Sequence, residues 1–166
     1  MKRKVNLIVI HCSASREDRP YTFKQLIKDH KARGFDTCGY HFYIMKDGTR
    51  YVGRPLDRIG AHVGDLGMNK NSIGICYEGG LDSKGKAKDT RTEAQTDEIL
   101  KTILEVLTEI GKAGQPTKTV RIAGHRDLSP DKNHNGIVES NEWVKLCPCF
   151  DAEKEYKGIA KAFKLK

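Results

Sequence analysis

The sequence predicts an α/β fold, a single domain with one sheet covered by helices, and three observations carry that prediction. An apolar, β-branched run opens the chain, Val5-Asn6-Leu7-Ile8-Val9-Ile10. Two Thr-x-x-Gln capping signatures, at Thr22 and Thr92, each lead into apolar residues at helical spacing. Strand-like runs alternate with those helices in the order β-α-β-β-β-α-β-α, the pattern of a sheet packed against helices. At 166 residues the chain suits one domain spanning 1–166.

Taken in order, 5–11 reads as a buried central strand. Thr22-x-x-Gln25 starts a helix whose Phe23, Leu26 and Ile27 face inward and which Gly34 ends. The runs 40–45 and 50–53 flank Lys46-Asp47-Gly48-Thr49, whose Asp-Gly pair signals a hairpin turn. Ser72 to Glu78 reads as a further strand closed by Gly79-Gly80, and the polar segment 81–91 as an exposed loop. Thr92-x-x-Gln95 opens the longest helix, with a broad apolar face running from Ile99 to Ile110 before Gly111. Val120 to Ala123 reads as a strand leading into Gly124-His125, and a terminal helix starts near Asp151 after a long loop.

Composition excludes several classes. Mean hydropathy is −0.61, and no apolar run approaches the roughly 20 residues of a membrane helix, so no membrane insertion is expected. Thirty basic against 22 acidic residues give a net charge of +8 and a pI near 9.2. That implies attraction to polyanions, but the basic residues are scattered, which disfavours nucleic acid as the partner. Five cysteines, an odd number, exclude a full disulfide framework and favour synthesis in a reducing compartment. Met1-Lys2-Arg3-Lys4 and the apolar run after it resemble a secretion signal. The run is short, interrupted by Asn6, and has no small-x-small cleavage site, so synthesis in the cytoplasm without a signal peptide is expected.

Two of the six histidines stand where a strand hands over to a loop, in Ile10-His11-Cys12 and Gly124-His125-Arg126. A rigid sheet can aim such a ring into a cleft. Either alone is more often an ordinary hydrogen-bonded histidine. Cys147 follows 22 residues after His125, with Lys145 two before it. Two imidazoles and a thiolate form a donor set that suits zinc and leaves a fourth position open. Spacing alone does not show that His11 meets the other two.

With these residues in view, the chain resembles the zinc-dependent N-acetylmuramoyl-L-alanine amidases, the family that includes phage-type amidase lysozymes and peptidoglycan recognition proteins. The resemblance rests on Ile8-Val9-Ile10-His11-Cys12-Ser13-Ala14, Gly39-Tyr40-His41-Phe42-Tyr43-Ile44, Asp47-Gly48-Thr49, Asn71-Ser72-Ile73-Gly74-Ile75, Gly124-His125-Arg126-Asp127 and Lys145-Leu146-Cys147-Pro148-Cys149-Phe150. Each is weak alone; six in family order are specific. The resemblance implies a central mixed β-sheet flanked by helices, with zinc held by His11, His125 and Cys147. It implies catalytic roles for Tyr40 and Lys145, and substrate contacts from His62 in Gly60-Ala61-His62 and from Arg54. The Arg54 guanidinium is suited to a stem-peptide carboxylate. His41 reads as structural, because it faces away from Tyr40, His30 as an exposed helix residue, and Asp127 as either a zinc-supporting partner or a turn residue. The chain departs from the family pattern at Cys149, where a small residue is usual, and in the insertion between His125 and Lys145.

The implied chemistry suits these residue types. Amide hydrolysis gains from a metal that polarises the carbonyl and lowers the pKa of water towards about 7. Tyr40 is assigned to orient or deprotonate that water and Lys145 to stabilise the oxyanion, two roles the residue types would allow to be exchanged. The expected substrate is peptidoglycan or a muropeptide, cut between N-acetylmuramic acid and L-alanine by a monomer. The rival expectations are a non-catalytic muropeptide-binding module, an amidase recycling cytoplasmic muropeptides, and a basic protein binding another polyanion.

The insertion also satisfies a twelve-position calcium-loop pattern: Asp131, Asn133 and Asn135 at positions one, three and five, Gly136 at six, the Ile137 carbonyl at seven and Glu142 at twelve. Calcium bound there would order the segment carrying Lys145 and Cys147. With Asp131, Glu139 and Glu142 as the charged members, the affinity implied is weak, and the alternative is an Asn/Gly-rich turn that binds nothing.

Overall fold

A computed structural model describes residues 1–64 and 67–164. The opening apolar run forms β1 (Leu7–Cys12), buried at every position, as a strand covered on both faces must be. It pairs in parallel with β5 (Ser72–Tyr77) on one side and β7 (Arg121–Gly124) on the other. β5 pairs in parallel with β3 (Phe42–Ile44), and β3 antiparallel with the edge strand β4 (Arg50–Val52). The sheet order is β4-β3-β5-β1-β7, a mixed sheet with β1 near its centre.

Alternation along the strands divides the core in two. Ile8, Ile10, Ile73 and Ile75 pack against α2 (Glu93–Lys112) through its Ile99, Ile103, Val106, Leu107 and Ile110. Full burial of each such side chain contributes roughly 1.5–3 kcal/mol. The other face carries Leu7, Val9 and Ala123, and further along it α1 (Phe23–Ala32) covers Tyr43 and Cys76 through Leu26. His11 follows Leu7 and Val9 onto this second face.

The Thr92 capping box is complete, and Gln95 also donates to the carbonyls of Ile44 and Glu78. That pins the start of α2 to the carboxyl ends of β3 and β5. At Thr22 the hydroxyl caps the Gln25 amide, but the Gln25 side chain turns away to Asp29. The hairpin forms at Gly48, whose φ of +85° needs glycine, with Asp47 capping the Thr49 amide.

The elements differ from expectation in three places. Tyr40 and His41 precede the strand instead of opening it. The loop after β5 contributes β6 (Gly80–Leu81), which pairs with β2 (Ser15–Arg16) beyond the end of β1. The terminal helix is broken into α3 (Ala152–Glu155) and α4 (Ile159–Ala162), because Gly158 adopts a left-handed conformation between them.

Candidate metal centre and its cleft

Parallel pairing explains how two histidines 114 residues apart in sequence meet. Ile10 lies opposite Gly124 in the β1–β7 ladder, and the next residue on each chain is a histidine. The rings of His11 and His125 come to rest 4.7 Å apart, centroid to centroid, at the carboxyl ends of the strands, where open α/β sheets place their ligands. The long loop then returns Cys147 to this edge. The Arg126 amide donates to the Cys147 carbonyl (2.7 Å), and the Arg126 guanidinium lies 4.0 Å from the centre of the Trp143 ring. The Cys12 amide donates to Cys147 Sγ (3.2 Å). Asp127 caps the Gly124 amide (2.7 Å), so it is a turn residue.

One ligand atom from each of His11, His125 and Cys147 lies within 4.8 Å of the others. His11 Nδ1 stands 3.8 Å from Cys147 Sγ. A tetrahedral zinc with ordinary Zn–N and Zn–S bonds needs those two atoms about 3.5 Å apart, so this pair fits zinc with a shift of tenths of an ångström. Burial, then the neighbouring His62, His125 and Lys145, hold His11 well below the usual histidine range. Burial and Lys145 lower His125 to about 4. Both rings are therefore neutral, as metal ligands must be, and the amide donated to Cys147 Sγ suits a thiolate.

The three residues line a cleft of about 480 Å³ together with Tyr40 and Lys145. The Tyr40 ring centre is 5.1 Å from that of His11. Burial, and then the surrounding thiols, push the Tyr40 hydroxyl well above its usual range, so at neutral pH it is a phenol and a hydrogen-bond donor. Lys145 is exposed at the rim. Together with His125 it also borders a second pocket of about 240 Å³, walled by Val63, Leu128, Pro130 and Val144.

Arg54 is placed elsewhere. It is 8% exposed, donates to the carbonyls of Cys38 and Ile59 (both 2.7 Å) and pairs with Asp36, so its planar fork is spent on the loop and it does not line the cleft. His62 is in the cleft wall but only 6% exposed, with Nδ1 2.9 Å from His11 Nε2 and Nε2 3.2 Å from Ser72 Oγ. Neither ring nitrogen is left for substrate. His30 is buried rather than exposed, and its Nδ1 accepts the Gly39 amide (2.9 Å). His41 is buried, and its Nδ1 accepts the Gly74 amide (3.0 Å), a structural role.

Most side-chain oxygens of the 131–142 loop cap its own backbone, while Asp131 Oδ1 is buried without a hydrogen-bond partner. Asp131 caps the Gly136 amide, Asn133 that of Asn135, and Asn135 that of Ile137. Glu142, buried, accepts the amides of Lys132, Asn133 and Glu139. Among the described residues the metal-compatible group is His11, His125 and Cys147, so the calcium expectation gains no support. The carboxylate of Glu142 itself orders the segment that leads to Lys145.

Sequence reasoning missed Arg33, Phe35 and Asn69, which also line the cleft. Arg33 and Phe35 sit at the end of α1, where nothing local marks them. The seat of His62 did leave a signal: Gly74 interrupts an otherwise apolar strand, which points to a close approach. A Cβ there would lie 2.7–2.8 Å from three His62 ring atoms.

Fold and cleft define a mixed-sheet α/β domain with a metal-competent His-His-Cys site at the strand ends. Residues 1–137 match the family model for N-acetylmuramoyl-L-alanine amidase, and the chain belongs to that family and is an enzyme of that class. Lys145 and Cys147 lie beyond the matched residues, so their place in the site comes from the geometry. An endolysin of Klebsiella phage KP32 is 31% identical over 153 residues, 92% of this chain and 86% of the relative. A Haemophilus influenzae protein is 46% identical over 105 residues, 63% of this chain and 83% of the relative. Among solved structures, the N-acetylmuramoyl-L-alanine amidase LysC from Clostridium intestinale URNW superposes with a TM-score of 0.63 at 26% identity, covering 98% of this chain and 88% of that one.

Proposed function

We propose that the protein is a zinc-dependent peptidoglycan amidase that hydrolyses the bond between N-acetylmuramic acid and L-alanine, with His11, His125 and Cys147 as zinc ligands. The observation that carries this reading is the convergence of two neutral imidazoles and an amide-supported sulfur in a cleft that also holds Tyr40 and Lys145. Zinc there would polarise the scissile carbonyl and acidify water. The half-buried Tyr40 hydroxyl, kept protonated, donates a hydrogen bond to the oxygen that gains charge. Lys145, at the rim beside His125, adds a positive charge on the same side. The assignment of Tyr40 as donor is thus favoured over its use as a base.

The cleft has two arms. Arg33 at the end of α1 is the cation placed to meet a stem-peptide carboxylate, the role the sequence suggested for Arg54. The apolar pocket on the far side of His125 suits the lactyl and N-acetyl methyl groups of the sugar.

The test is metal content by mass spectrometry on protein purified without a metal-affinity tag, paired with stem-peptide release from sacculi and from soluble muropeptides. Stoichiometric zinc and release are expected, both lost in Cys147→Ser. Zinc without release from either substrate would favour a recognition module. Release from soluble fragments alone would favour a recycling role over lysis. Neither zinc nor release would overturn the proposal.

A further inference from the structure

We infer that His62 is a positioning residue: a buried chain running Ser72–His62–His11 sets the ring orientation and tautomer in which His11 presents Nδ1 to the metal. The inference rests on the zinc reading above and assigns within it a residue that holds a ligand rather than substrate.

The geometry is directional. His11 Nδ1 faces Cys147 Sγ at 3.8 Å, and its other nitrogen, Nε2, lies 2.9 Å from His62 Nδ1. An imidazole that gives the Nδ1 lone pair to a metal carries its proton on Nε2. That proton is donated to His62 Nδ1, which leaves the His62 proton on Nε2. His62 Nε2 lies 3.2 Å from Ser72 Oγ and donates there. One assignment of protons therefore satisfies all three side chains with no net charge, in a place where His11, His62 and Ser72 are 1%, 6% and 0% exposed. The reverse assignment would put a proton on His11 Nδ1, where the metal belongs.

The ring of His62 is also seated tightly enough to act as an anchor. A Cβ on Gly60 would lie 2.5 Å from His62 Cδ2, and a Cβ on Gly74 2.7–2.8 Å from its Cγ, Cδ2 and Nδ1. Two glycines thus make room for the ring and leave it no space to swing. From behind, Asn69 Oδ1 accepts the amides of His62 (3.0 Å) and Val63 (3.2 Å). The planes of His11 and His62 meet at 88°, edge to face, so rotation of either ring breaks the bond between them.

The experiment is zinc affinity by competition with a chromophoric chelator, on full-length protein stripped and reloaded, for the parent, His62→Leu, His62→Asn, Ser72→Ala and Cys147→Ser. His62→Leu removes the acceptor and is expected to weaken zinc binding about 10–100-fold, the usual cost of losing such a partner. His62→Asn, whose Oδ1 occupies the place of Nδ1 and accepts from His11, is expected to stay within roughly threefold of the parent. Imidazole nitrogen NMR of the zinc-loaded protein gives a readout that packing alone would not move. His11 Nε2 should be the protonated nitrogen in the parent and in His62→Asn. A folded His62→Leu with parental zinc affinity, or a His62→Asn as weak as His62→Leu, would overturn the inference. If His62→Leu does not fold, Ser72→Ala decides: a several-fold weakening is expected, and parental affinity overturns it. A parent that binds no zinc, or a Cys147→Ser that binds it as well as the parent, would instead overturn the zinc reading itself.

Discussion

Arg91 ties the segment that follows Cys147 to the rest of the molecule, and Arg91→Met tests how much that tie contributes. The guanidinium meets Asp89 through Nε and one terminal nitrogen (both 2.9 Å) and Glu155 through both terminal nitrogens (2.7 and 2.9 Å). Its central carbon lies 3.3 Å from the centre of the Phe150 ring. The Arg91 side chain is 8% exposed, while Asp89 and Glu155 are 39% and 35% exposed. Burial works to lower its pKa, but the two carboxylates more than offset this and raise it. Methionine keeps the apolar stem and removes the charge. Because the carboxylates regain water, each lost pair costs about 1 kcal/mol, nearer the surface value than the buried one. Loss of the cation–π contact adds about 1 kcal/mol. The expected loss is about 3 kcal/mol, or a fall in Tm of roughly 6–12 °C for a domain of this size. Urea unfolding of the parent and the variant measures it. A loss below about 1 kcal/mol would show that the clamp is solvated surface charge and refute the reasoning.

Tyr40→Phe should retain zinc and lower kcat by about 10²–10³-fold with little change in KM, as expected for a donor used in the transition state; activity within threefold of the parent would remove the hydroxyl from the mechanism. Burial first, with Arg3 and Arg54 adding to it, lowers His41 to about 4, so the unfolded chain takes up the proton first as pH falls. Up to ~3 kcal/mol of stability is therefore present above pH 6.5 and lost between about 6.5 and 4. His41→Asn should flatten that part of the stability–pH curve in denaturant titrations, and an unchanged slope would contradict it. The amides of Glu139, then of Asn133 and Lys132, hold the Glu142 carboxyl below its usual 4.5. Its stabilisation is present above that pH and lost as pH falls through its lowered value. Glu142→Gln should accordingly lower Tm at pH 7 and converge with the parent in acid, whereas a calcium-dependent rise in parental Tm, absent from the variant, would restore the cation reading of the loop.

Much of the fold was legible in local patterns. The apolar run of β1, the two capped helices and the Asp-Gly turn are each marked by residues within a few positions of one another, so the chain order alone reveals them. The terminal helix differs from the expectation because its apolar spacing continues through Gly158, while the conformation of that glycine is a tertiary matter. His30 looked exposed because its neighbours on α1 are polar, yet its partner, the Gly39 amide, comes from the following loop. Arg54 looked free for the same reason: the carbonyls that occupy it belong to Cys38 and Ile59.

The sequence by itself determined the residue types of the site and the strand ends that carry two of them, because family motifs and strand patterns are written in contiguous residues. It could not show that His11, His125 and Cys147 meet, since that depends on the parallel register of β1 with β7 and on the return of a long loop. Only the tertiary structure decided that His62 faces the ring of His11, that Arg33 rather than Arg54 borders the cleft, and that Glu142 caps backbone amides. In each case the deciding partner is distant in sequence, and a side chain's role follows from which neighbour satisfies its polar atoms once water is excluded.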